Sequence, residues 1–178
     1  MKKIVLGTLI ASSLCGSLPV FAATNGEGQI NFTGEILDSA CEVVNSLSNP
    51  LNVDLGKVSK TAFSGIGSTA DTTEFAIQLK NCPETVSTAA ITFGGTPDAD
   101  NSNVLALTAG TGVAAGVGIQ LLDSAKQPLN LYTASQPYTL QSGTTDNNLQ
   151  FAARYIQTQS AINAGPANAV STFTVVYN

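Results

Sequence analysis

Between residues 28 and 177 the chain alternates between apolar and polar positions in short runs, and turn-forming residues break the runs apart. Ile30, Phe32, Gly34 and Ile36 share one face, with Asn31, Thr33 and Glu35 on the other. Val53 and Leu55 form a brief run that ends at Gly56. Phe75, Ile77 and Leu79 alternate with Ala76, Gln78 and Lys80 up to Asn81-Cys82-Pro83, and Ala89, Ile91 and Phe93 lead to Gly94-Gly95. Further runs cover Val104 to Leu107, Val117 to Leu122, Leu129 to Tyr132 and Leu149 to Ile156, and the last alternates through Phe173, Val175 and Tyr177. A period of two with turn signals at this spacing predicts strands. No window of a dozen residues holds a 3.6-residue period between helix caps. The pattern predicts an all-β sandwich with little helix.

Composition narrows the chemistry. The chain has 178 residues, 11% of them charged, with no histidine and no tryptophan. Without histidine, Ser-His-Asp and Cys-His catalysis are excluded, and the commonest metal ligand is missing. A net charge of −5 argues against nucleic acid, whose phosphates call for a basic face. No Ser-x-x-Lys, Gly-x-Ser-x-Gly or phosphate-binding lysine loop is present. Gly110 to Ala115 fits a loose dinucleotide pattern, but the residues after it read as a strand, so it is expected to be a hairpin loop. Asp98 and Asp100 lack further carboxylates at calcium-loop spacing and read as a solvated turn. Asn31-Phe32-Thr33 is a glycosylation sequon inside a strand pattern and carries little weight. No metal and no cofactor are expected.

The first residues read as a leader. Lys2 and Lys3 precede an apolar run from Ile4 to Leu18, and Val20-Phe21-Ala22 offers a small-residue cleavage site. The run is broken by Ser12, Ser13, Gly16 and Pro19 and is too short to span a bilayer. Residues 1–22 are therefore expected to be a signal peptide, and no membrane span follows. Loss of Lys2 and Lys3 moves the net charge from −5 to −7. Cys15 falls in the leader, which leaves Cys41 and Cys82. In an oxidising compartment an even pair reads as one disulfide, two separate buried thiols being the other reading. Closing a loop of about 42 residues would contribute roughly 4 kcal/mol.

Both ends are unusual. The run from Gly28 to Leu37 lies before the first cysteine. At the other end, alternation continues to the last residues, with Val170, Thr172, Thr174 and Val176 opposite Phe173, Val175 and Tyr177. An apolar strand edge without cover needs a partner, and a strand from another chain would supply one.

At this point the sequence resembles a family: the chaperone–usher fimbrial subunits, of the type 1 major pilin kind. The resemblance rests on Gly28 to Ile36 followed by Cys41, on Phe75 to Cys82, and on Asn103 to Leu107. It also rests on Val117 to Asp123, on Phe151 to Tyr155, and on the penultimate Tyr177 with Gly165 fourteenth from the end. It implies an immunoglobulin-like sandwich that lacks its last strand and is completed by donor-strand complementation. The implied layout is a signal peptide at 1–22, a donor extension at 23–37 and a pilin domain at 38–178.

Gly28, Ile30, Phe32, Gly34 and Ile36 would face a neighbour's groove. Gly165, Phe173, Val175, Tyr177 and Asn178 would form the strand that recognises chaperone and neighbour. The partners implied are neighbouring pilin subunits in a head-to-tail polymer, a periplasmic chaperone and an outer-membrane usher, with the product a cell-surface fimbrium. The competing readings are a minor or tip-adaptor pilin, or a secreted carbohydrate-binding sandwich. A secreted hydrolase would need a carboxylate pair that the sequence does not show.

Overall fold

A computed structural model describes residues 29–34, 36 and 40–178. The chain divides between Glu35 and Ile36 into two units. In the first, residues 29–34 form no strand or helix and are exposed. The leader and Gly28 lie outside the described residues.

Among the described residues, the second unit is built from eight strands and a single 3-10 turn, Lys60–Ala62. In chain order the strands are β1 (Glu42–Val43), β2 (Thr73–Lys80), β3 (Thr88–Gly95), β4 (Val117–Leu122), β5 (Pro128–Leu129), β6 (Tyr138–Thr139), β7 (Asn147–Gln157) and β8 (Ser171–Tyr177). One sheet has the order β1-β2-β7-β4-β5, the other β6-β3-β8, and every pairing is antiparallel. The expected all-β sandwich is what forms.

Alternation sets the register. Ile77 and Leu79 on β2 face inward opposite Leu149 and Asn147 of β7, and Ile91 and Phe93 on β3 lie opposite Val175 and Phe173 of β8. Phe151 is fully buried at the centre, with the ring of Phe93 edge-on at 5.0 Å, Tyr138 at 5.4 Å and Phe75 at 6.0 Å. Offset and edge-on pairs of this kind add to the burial of the rings themselves. Cys41 and Cys82 are joined as a disulfide beside β1. Cys82 also bridges to Gly143, so the disulfide, the end of β2 and the start of β7 gather at one pole.

Several expected runs resolve differently. Val53 and Leu55 alternate in burial but belong to no strand, because among the described residues no neighbouring strand offers them hydrogen bonds. Leu105 makes only single bridges, to Pro97 and Ile119, where a longer run was expected. The run at Leu129 stops at β5, since Tyr132 turns the chain with a positive φ of 61°. Gly110 to Gly116 is a loop, with Gly112 and Gly116 in the left-handed region. Asp98 Oδ1 accepts the amides of Asp100 and Asn101, closing the expected turn.

Candidate functional site

β8 is an edge strand, the last of its three-stranded sheet. Its sequence, Ser-Thr-Phe-Thr-Val-Val-Tyr, is rich in β-branched and aromatic residues, which favour a pleated, half-buried surface. On one side it pairs with β3; on the other no strand follows among the described residues. The hydrogen-bond phase is fixed by Thr88 and Asn178, which exchange both N–H···O bonds at 2.9 Å. In an antiparallel ladder such pairs alternate with non-bonded ones. Val176, Thr174 and Thr172 therefore bond to β3. The amides and carbonyls of Ser171, Phe173, Val175 and Tyr177 point the other way.

The side chains of those same residues lean inward over a cleft of about 1150 Å³. Its floor is the body's own core: Phe75, Ile77, Phe93, Leu105, Ile119, Leu121 and Ala153. The far wall is Val43 and the Leu51–Gly56 stretch. Phe173, Val175 and Tyr177 are each only half-buried, although they pack against core residues. The cleft runs between two tyrosine fastenings. Tyr177 Oη donates to the Cys41 carbonyl at 3.4 Å, and Tyr155 Oη donates to the Ala167 carbonyl at 2.9 Å. Burial pushes the Tyr177 phenol above its ordinary pKa. It does the same for Tyr155, where the nearby Asp54 carboxylate adds to the effect.

The cleft thus combines an apolar trough with a row of unpaired backbone groups along one wall. That combination suits an extended peptide: main-chain bonds give affinity, and alternate side chains fill the trough. Among the described residues, no three His, Cys, Asp or Glu side chains come together.

The expected site residues fall in different places. Phe173, Val175 and Tyr177 line the cleft. Asn178 extends the β3–β8 ladder, its carbonyl accepting the amides of Ser87 and Thr88, and is not part of the lining. Gly165 lies away from the cleft. A Cβ there would stand 2.1 Å from the Gly112 carbonyl oxygen and 2.7 Å from the Ala114 nitrogen, so only glycine lets the chain pass the 112–114 turn. Ile30, Phe32 and Ile36 are 77%, 91% and 98% exposed, and a Cβ on Gly34 would meet nothing. Sequence reasoning did not identify the far wall. Its signal was present in the alternation of Val53 and Leu55 without a paired run.

A family model described as "Fimbrial protein" matches residues 30–178, most of the chain and all of the body's strands. The chain belongs to the Fimbrial protein family. The fimbrial subunit is 34% identical to the long polar fimbria protein A of Salmonella typhimurium, covering 99% of this chain and 97% of that one. It is 41% identical to a Burkholderia pseudomallei antigen and type I fimbria protein of known structure, with a TM-score of 0.59, covering 84% of this chain and 97% of that one. A subunit from the structure of a chaperone–usher pilus, at 22% identity, superposes with a TM-score of 0.61, covering 86% and 97%. This last likeness shows the fold: an immunoglobulin-like sandwich. The fimbrial subunit is a structural protein of a pilus, not an enzyme.

Proposed function

We propose that this fimbrial subunit polymerises into a pilus shaft by donor-strand exchange. Residues 23–37 of one copy lie in the cleft of the next and pair with the open edge of β8. The observation that carries this reading is the row of amides and carbonyls at Ser171, Phe173, Val175 and Tyr177 turned over an apolar trough. The extension has the matching pattern, with Gly28, Ile30, Phe32, Gly34 and Ile36 on one face. Ile30, Phe32 and Ile36 are exposed in the single chain, so each has roughly 1.5–3 kcal/mol to gain from burial in a neighbour. Gly34 fits where strand and trough approach most closely.

The contact is head-to-tail, so it propagates as a filament and does not close into a dimer. An apolar open edge must be covered before assembly. A periplasmic chaperone lending a strand to β8, and an outer-membrane usher exchanging it for the next extension, would meet that need and deliver the polymer to the cell surface.

The test adds a synthetic peptide of residues 23–37 to the monomeric chain and follows thermal unfolding. At a hundredfold excess over Kd, binding to the folded state adds about 2.7 kcal/mol. At about 3 °C per kcal/mol, expected for a domain of this size, the melting temperature rises by about 8 °C. A peptide carrying Phe32→Asp should give no rise. Equal melts with and without the native peptide would refute strand donation.

A further inference from the structure

The end of the cleft at the start of β8 adjoins a second feature. There Gly94 pairs with Thr172 and Gly95 with Ser171. Tyr132 lies across them. Its amide donates to the Phe93 carbonyl at 2.8 Å, its hydroxyl is hydrogen-bonded to the Gly95 carbonyl, and its ring carbon Cε1 stands 3.3 Å from where a Cβ on Gly94 would be. The residue holds a φ of 61°, in the left-handed region that non-glycine residues rarely adopt. Although fastened in this way, Tyr132, outside the cleft lining, is 64% exposed, and Val170, on the cleft's rim just before β8, is 74% exposed. The outward residues of β3 and β8 beside them, Thr92, Gly94, Thr172, Thr174 and Val176, carry no charge.

We infer that this patch seats the body of the next copy of the chain, a body-to-body contact separate from the strand in the cleft. The inference rests on the strand-donation reading. The reach of the chain selects the occupant. In the incoming copy Cys41 is held by its disulfide, and five Cα steps from Ile36 to Cys41 span at most about 18 Å. Antiparallel addition to β8, the more stable pairing, sets Ile36 at the Ser171 end and not the Tyr177 end. The incoming body's Cys41 pole therefore stands within reach of Val170 and Tyr132.

Charge points to the same docking. Both copies carry an excess of acid, so an uncharged seat avoids repulsion. Lys57 and Lys60, which have no ion-pair partner among the described residues, follow Gly56 of the cleft's far wall in sequence. Glu84 and Asp146 flank the Cys82–Gly143 bridge at the Cys41 pole. The acids near the seat are already engaged: Asp98 caps its own turn and Asp100 accepts from Gln159 Nε2 at 2.7 Å.

The test places the photo-cross-linker p-benzoyl-L-phenylalanine in place of Val170 or Tyr132 in the full chain, with fibres illuminated after harvest. Cross-linked peptides are expected to come from the Cys41 pole of a second copy, residues 82–86 or 141–147. Their yield should be several-fold above that from the same probe in place of Lys126 on the β4–β5 turn. In parallel, Tyr132→Ser and Val170→Ser chains should still form fibres but lose the fixed rotation between neighbouring subunits by electron microscopy. Fibres that cross-link only to residues 23–37, or that keep their rotation in both variants, overturn the body seat and leave strand donation standing. An unsubstituted chain that forms no fibres overturns strand donation, and the body seat with it.

Discussion

Replacing Phe32 by alanine separates a residue that stabilises its own fold from one that stabilises a neighbour's. Phe32 is 91% exposed in the single chain, so the substitution should leave monomer stability within about 0.5 kcal/mol, as for other surface changes. In a fibre the same ring would pass almost wholly from water into the trough formed by Phe93, Leu105 and Ile119. Removing a buried phenyl ring costs about 3–5 kcal/mol, the lost transfer plus the cavity left behind. Taking about 3 kcal/mol per junction, dissociation of one subunit from the next should speed up by about two orders of magnitude. The assay is guanidinium-induced fibre dissociation followed by light scattering, beside urea melts of monomer. Phe151→Ala serves as contrast. That ring is 1% exposed at the centre of the body, so its loss should destabilise the monomer itself. The reasoning fails if Phe32→Ala weakens the monomer as Phe151→Ala does, or if its fibres dissociate as slowly as the wild type.

Other expectations follow from single sites. Gly165→Ala must force a methyl group against the Gly112 carbonyl and should lower stability by about 1–3 kcal/mol in a monomer melt, with no change in the affinity of added 23–37 peptide. Cys41→Ser with Cys82→Ser removes the cross-link and should cost about 2–5 kcal/mol, read as a drop in the denaturation midpoint. Tyr138, Tyr155 and Tyr177 have phenols whose pKa burial raises. Their contribution is fully present below the unfolded value of about 10 and is lost as pH rises through the folded values. Melts above pH 10 should therefore fall, tyrosinate absorbance should appear together with unfolding, and Tyr177→Phe should soften the fall.

Much of the fold was legible because five of the strands pair over long stretches, and a long pairing imposes a period of two on its residues. β2, β3, β4, β7 and β8 were read from Phe75, Ile91, Ile119, Phe151 and Val175 and their alternating neighbours. β1 and β6 are two residues each and leave no period to read. Val53 and Leu55 show the opposite failure: their pattern is that of a strand, but a strand exists only when a neighbour accepts its hydrogen bonds, and none does among the described residues. Of the candidate site, the wall formed by Phe173, Val175 and Tyr177 was visible in the sequence. Its floor was not, because Leu105, Leu121 and Ala153 look like any other core residue until the missing neighbour of β8 uncovers them. The seat at Tyr132 depends on a backbone turn and two glycines meeting across strands, which no local pattern announces.

The central claim, that the body lacks a strand which another copy supplies, is tested most directly by amide hydrogen exchange along β8 in monomer and in fibre. The account predicts that in monomer the amides of Thr172, Thr174 and Val176, bonded to β3, exchange slowly, while those of Phe173, Val175 and Tyr177 exchange fast. In fibre all six should be slow. Protection of Phe173, Val175 and Tyr177 already in the monomer, or fast exchange persisting at them in the fibre, would contradict it.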